Sequence, residues 1–312
     1  MNIGFCGRYK LTVRKADSGL IVREYEFPNV ITNIGMLKMR DAAVANSSLN
    51  LSYCYVGTGQ NTPTVSDATM GAFSRYFNTQ SVAITAPVEP DYVSKKHMTY
   101  RMQAGNAGNY TEVGVGWSSN PNGNLFSRAL ILDEYGNPSV ITVLSDEYLD
   151  VVYTVEGYPS LNDKTGSFEL NGVTHTVLSR LAYATQSCFS AGNGAFKMSA
   201  PFVAGILYVF ESQQLGTIEG YPTGTASSAS GYIITSRSAL GDENSYGVRS
   251  VITFPLGTAN TPGGVIGAMY VNPAGLAYDT DVRTQMSFTP PIPKTNNNTL
   301  TLTFEQWFGR HV

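Results

Sequence analysis

Short runs in which apolar and polar residues alternate recur along the chain, and a period of two marks strands with one buried face. Near the start, Leu11 and Val13 alternate with Thr12 and Arg14. Ala16-Asp17-Ser18-Gly19 then supplies turn chemistry, and Ile21, Arg23, Tyr25 and Phe27 alternate with Val22, Glu24 and Glu26. This pattern predicts a β-hairpin. A second hairpin is predicted from residues 127–132, a turn at Asp133-Glu134-Tyr135-Gly136-Asn137-Pro138, and a return over 140–144. Further strands are predicted at 51–56 and 149–155. Another lies near the C-terminal end, where Leu300, Leu302 and Phe304 alternate with Thr299, Thr301 and Thr303.

Helix signals are few. Asn33 stands as an N-cap before a helix over 34–45, with Met36, Leu37, Met39 and Val44 available for burial. A second short helix is predicted over 66–74, capped by Ser66 or Asp67. The predicted fold class is therefore all-β: a β-sandwich core with one or two short helices and a second, Gly/Ser/Thr-rich β region. The chain is read as an N-terminal sandwich over 1–156, a second β region or insertion over 157–285, and a C-terminal strand within 286–312 that returns to the first sheet. No repeat of fixed period is present, which argues against a solenoid or propeller.

Composition narrows the function classes. A chain of 312 residues with 42% hydrophobic positions can build a large core and is not intrinsically disordered. No run approaches the ~20 apolar residues of a membrane helix. Charged residues make up 14%, well under the ~25% of ordinary soluble domains, so polarity rests on Thr, Ser and Asn. The formal charge of −3 lacks the basic footprint of a nucleic-acid binder. Cys6, Cys54 and Cys188 are far apart and form neither a disulfide framework nor a metal spacing. The opening Met1-Asn2-Ile3-Gly4-Phe5-Cys6 lacks the basic start and apolar stretch of a signal peptide, so synthesis and folding in a cytoplasm are expected.

Candidate chemistry is thin. The three histidines, His97, His175 and His311, have no Gly-x-Ser-x-Gly elbow with them, and a structural or surface role is the plainer reading of each. Asp133-Glu134, Asp146-Glu147 with Asp150, and Asp279 with Asp281 could supply a carboxylate pair for glycoside hydrolysis, yet acidic residues beside Gly, Asn and Pro are ordinary turn formers. Asp279-Thr280-Asp281 lacks the spacing of a calcium loop. Val56-Gly57-Thr58-Gly59-Gln60 lacks the Gly-Lys-Ser/Thr ending of a phosphate-binding loop and reads as a strand end. Nineteen tyrosines could stack on sugars, although many fall within strand patterns. No catalytic, cofactor-binding or metal-ligating residue is assigned, no cofactor is expected, and the chain is not expected to be an enzyme.

Several segments together resemble a family of virion structural proteins of tailed bacteriophages, of the tail, collar and fibre-attachment kind. They are Phe27-Pro28-Asn29-Val30-Ile31-Thr32-Asn33-Ile34-Gly35, Tyr55-Val56-Gly57-Thr58-Gly59 with Pro63 and Asp67, Thr111-Glu112-Val113-Gly114-Val115-Gly116-Trp117 and Leu125-Phe126-Ser127-Arg128-Ala129. The run 140–159 into a Tyr-Pro turn, Pro290-Pro291-Ile292-Pro293-Lys294-Thr295 and Trp307-Phe308-Gly309-Arg310 are similar too. The pieces span most of the chain outside 185–285. The resemblance implies a virion component assembled in the host cytoplasm, whose partners are other copies of itself and other virion proteins. It implies no direct nucleic-acid contact and no membrane span. A second reading is a carbohydrate-binding receptor-recognition protein or a polysaccharide depolymerase of the tail tip, with a host-surface glycan as partner.

Overall fold

The computed structural model describes residues 2–45, 47, 49–185, 195–196, 207–229, 231–241, 246–271 and 283–311. Among them strands dominate and one helix is present, in an all-β, sandwich-like fold of curled sheets.

The largest sheet has twelve strands. Its spine is Asn2–Lys15, paired antiparallel from Ile3 to Lys15 with Glu147–Pro159. On its other edge the spine takes two neighbours in succession. Residues 2–5 run parallel to 307–310 of the strand Leu300–Arg310, and residues 8–14 pair antiparallel with Ile21–Pro28. Beyond Glu147–Pro159 lie Ser94–Met102 and the long strand Phe73–Thr85. Residues 79–85 of that long strand pair with Ser94–Met102 and residues 73–78 with Tyr53–Gly57, with register breaks on the way. A strand that changes partners at a bulge turns a sheet back over itself. The layer so formed continues through Glu112–Gly116 and Leu125–Leu130.

The first core fills the space between these layers. Tyr9, Leu11, Val13, Tyr100, Val151 and Tyr153 meet Cys54, Val56, Val113, Val115 and Phe126, all buried. The helix Asn33–Val44 closes it with Gly35, Met36, Met39, Ala42 and Ala43, a spacing that puts them on one face. Gly35 is required there: a Cβ would stand 2.5 Å from the Phe126 carbonyl oxygen.

The second core is built otherwise. A six-stranded sheet, ordered Lys164–Leu170, Val173–Ala182, Arg283–Pro293, Val265–Val271, Leu207–Phe210 and Ala226–Ser228, contributes Ile266, Met269, Phe288 and Ile292. The facing side chains come from the far end of the large sheet: Ile252 and Phe254 of Tyr246–Phe254, and Leu300, Leu302 and Phe304 of Leu300–Arg310. The same faces of these two strands also supply Tyr246, Val248 and Phe308 to the first core. One strand pair thus serves both cores.

Three sequence expectations are corrected. The helix begins at Asn33, but its cap is Thr32, whose Oγ1 accepts from the Gly35 N–H at 2.9 Å. Asn33 instead uses its Oδ1 to accept from Arg310 at 2.6 Å and from the Tyr246 hydroxyl at 3.3 Å, tying the helix start to the shared strands. No helix forms over 66–74, because the Gly71 and Ala72 N–H groups donate to the Glu112 carboxylate rather than to carbonyls four residues back. The hairpin over 127–144 exists only at its tip, where Ser139 N donates to Ile131 O and Leu132 bridges Pro138. Leu125–Leu130 is buried on both faces and takes Glu112–Gly116 and Val30–Ile31 as its neighbours, while Ile141–Val143 pairs with Gly108–Tyr110.

Phe308 packs edge-on to Phe5 and stacks on Tyr246. Phe308→Ala is expected to cost about 3–5 kcal/mol in urea unfolding, the usual loss for a buried aromatic. Deletion of residues 300–310 is expected to abolish the cooperative transition, because both cores lose a wall.

Candidate functional site

A slot of about 560 Å³ lies between the strand Lys164–Leu170 and the strand Leu300–Arg310. Its floor is apolar, with Phe168, Leu170, Val177, Met286, Phe288, Leu302 and Phe304. Its sides have an unusual composition. Each is an unbroken run, 164–170 on one side and 301–306 on the other. A strand seen face-on presents alternate residues, so an unbroken run means that the slot also meets the strand edges.

The pairing explains this. Lys164–Leu170 is the edge of the six-stranded sheet and pairs with Val173–Ala182 alone among the described strands. Residues 300–306 pair on one side with Tyr246–Phe254, but the spine strand covers only 307–310 on the other. Among the described strands neither of these edges takes a further partner, and the two border one apolar floor. The rim carries Lys164, Glu169 and Glu305, the last held by Arg249 at 2.8 Å. Gly166 lines the slot in the same register as Phe168 and Leu170, with open space where a Cβ would be. Such a site can accept an extended peptide: ladder hydrogen bonds from the edges, and apolar pockets for alternate side chains.

The described histidines and Asp133, Asp146, Glu147 and Asp150 are engaged in packing, turns or ion pairs. His97 lies between the hydroxyls of Thr85 at 3.0 Å and Thr154 at 2.8 Å, and burial and Lys95 lower its pKa. His175 is buried, stacks on Phe168 and meets the Pro290 carbonyl at 2.7 Å. His311 stacks on Tyr158 at 3.7 Å. Asp133 accepts from the N–H groups of Tyr135 and Asn137, a turn role. Asp146 pairs with Lys15, Glu147 with Arg23 and Lys15, and Asp150 with Arg101 and Arg14. Burial raises the pKa of both Cys6 and Cys54, with Glu156 adding to the effect at Cys6, so neither is held as a thiolate. Cys188, Asp279 and Asp281 lie outside the described residues. Among the described residues no group of three His, Cys, Asp or Glu side chains could hold a metal, and no helix is long and apolar enough to cross a membrane.

Sequence reasoning missed the buried cluster behind the Gly57-Thr58-Gly59 turn. Glu112 accepts from the N–H groups of Gly59 at 3.0 Å, Gly71 at 2.9 Å and Ala72 at 2.6 Å, and from Arg128 Nε at 2.7 Å. Arg128 also donates to Asp67 at 2.7 Å and to the Asn61 carbonyl at 3.1 Å. Desolvation acts to raise the Glu112 pKa, but these donors outweigh it and the net direction is down; Asp67 behaves likewise. The cluster pins a long loop to the sheet. The only sequence signal was an acidic residue in the strand 112–116, paired directly with Gly57 and Leu130.

Arg128→Met leaves Glu112 buried without its cation and is expected to destabilise the fold by about 3–5 kcal/mol in denaturant titration. Because the folded-state pKa values of Glu112 and Asp67 are depressed, their contribution is complete above the ordinary carboxylate range of about 4. It is lost as the pH falls through the folded-state values. Thermal melts at descending pH should show a drop for the native chain that is smaller in Arg128→Met. No protein-family model, curated protein or solved structure matches this chain.

Proposed function

We propose that this protein is a structural component of a tailed-bacteriophage particle, a tail, collar or fibre-attachment subunit that works by self-association and by docking to neighbouring virion proteins rather than by catalysis. The observation that carries the reading is the slot over an apolar floor, bordered by the edges of 164–170 and 300–306, which take no further partner among the described strands. Exposed edges invite pairing with another chain, and soluble proteins ordinarily block them. Here the edges flank a site shaped for a strand, and an extended segment of a neighbouring subunit is its occupant. A strand added to 300–306 would run in line with the spine strand, which pairs with the same edge from residue 307 onward. A head-to-tail contact of this kind closes into a ring when its rotation permits. The segments resembling phage virion proteins support the particle assignment.

Carbohydrate recognition at a tail tip is the second reading, and one cluster favours it. Tyr183, Tyr208, Tyr221 and Tyr270 lie with ring centroids 5.7–6.3 Å apart, Tyr221 is half exposed, and the Arg283 guanidinium covers Tyr183 at 4.9 Å. Aromatic faces beside a fixed cation suit stacking on a sugar ring.

The absolute mass of the purified chain, measured by light scattering after size exclusion, separates the two. A trimer or a larger closed ring is expected, a trimer pointing to a fibre and a larger ring to a collar or tail-tube junction. Gly166→Arg places a long charged side chain at the slot where the fold has room. It is expected to leave thermal stability unchanged while weakening association at least tenfold. A monomer that binds a glycan, and loses it in Tyr221→Ala, would move the assignment to the second reading.

A further inference from the structure

Lys294 follows directly on the strand Arg283–Pro293 and is wholly buried. Its Nζ has two hydrogen-bond acceptors, Asn260 Oδ1 at 2.9 Å and the Thr295 carbonyl at 3.0 Å, and both are neutral. A buried ammonium that meets only neutral oxygens is costly, whereas the neutral amine is not. Burial accordingly lowers the Lys294 pKa. A desolvated lysine of this kind is a nucleophile.

The group beside it is an amide carbonyl. Asn260 Nδ2 donates to the Leu256 carbonyl at 2.8 Å and to Asn296 Oδ1, so the amide is held with its oxygen turned to Nζ. Both partners adjoin closed turns. Thr258 N donates to Pro255 O and Gly264 N to Thr261 O on one side, while Thr295 N donates to Asn298 Oδ1 at 2.6 Å on the other. The Lys294 N–H also donates to the Gly264 carbonyl at 2.9 Å, which fixes the two turns against each other. The amine and the amide are thereby held side by side, which removes much of the entropic cost of bringing them together.

We infer that Lys294 and Asn260 join in an intramolecular isopeptide bond, formed by the folded chain itself. The Nζ lone pair adds to Asn260 Cγ and forms the new C–N bond. The tetrahedral centre then transfers one Nζ proton to Nδ2 and breaks the Cγ–Nδ2 bond, releasing ammonia. No oxidant, cofactor or second substrate enters, and the charge balances. Lys294 is closed to water, which disfavours hydrolysis, while half-buried Asn260 gives the ammonia a way out. The bond ties the turn before Val265–Val271 to the turn that leads into Leu300–Arg310. It is a covalent brace for the second core in a chain without a disulfide framework, and it does not depend on how the slot is used.

Intact-mass spectrometry of the purified full-length chain, fresh and after prolonged incubation, tests this. The native chain is expected to weigh one ammonia less than its sequence. A protease digest should contain one branched peptide joining the segments around 260 and 294. Lys294→Met and Asn260→Ala should each show their full sequence masses and no branched peptide. A native mass that stays at the sequence value after incubation overturns the inference. So does an ammonia loss that is equal in the native chain and in Lys294→Met with no branched peptide in the native digest, since that is cyclic-imide formation at an asparagine rather than a cross-link.

Discussion

The strand Leu300–Arg310 is the constraint on which the rest of the structure depends. Eleven residues at about 3.3 Å each reach across both cores. Leu300, Leu302 and Phe304 wall the second core and Phe308 the first, from one face of one strand. Neither core can open without wetting part of that face. The same strand pairs in parallel with the opening residues of the chain, and its Arg310 holds the helix start through Ile31 and Asn33. Chain ends, helix and both sheets are therefore joined through one element.

The slot is a consequence of the same geometry. Because Leu300–Arg310 serves the second core as well, only its residues 307–310 pair with the spine strand, and among the described strands residues 300–306 pair on one side only. The outer edge of the six-stranded sheet stands across from it. The apolar side chains beneath belong to the second core, so the floor of the slot is simply where that core reaches the surface. A strand docked there would extend both sheets over the exposed part of that core.

Buried charge is handled in two contrasting ways. Glu112 is surrounded by three backbone N–H groups and a guanidinium that itself has a second carboxylate, so every strong partner is present and the loop over 57–72 is pinned. Lys294 has only neutral acceptors, and its burial favours the uncharged, reactive amine. The first arrangement resists change. The second invites chemistry.

Alternation alone identified the strands at 11–14, 21–27, 149–155 and 300–304, because a face buried against a core must repeat every second residue. The all-β class followed from that period together with turn chemistry and the scarcity of helical stretches. What the period could not convey is partnership. Residues 125–130 are buried on both faces and carry no alternation, so their separation from 141–143 was invisible. Asp67 has the sequence look of a helix cap and is drawn instead to Arg128, sixty-one positions away. The slot and the Lys294–Asn260 contact likewise depend on which strand edges are left open and which turns meet. The sequence by itself determined the strand faces and the fold class, because those depend on neighbours along the chain. Only the tertiary structure decided which edges pair, which charges are buried together and which nucleophile meets which carbonyl, because those contacts join residues tens to hundreds of positions apart.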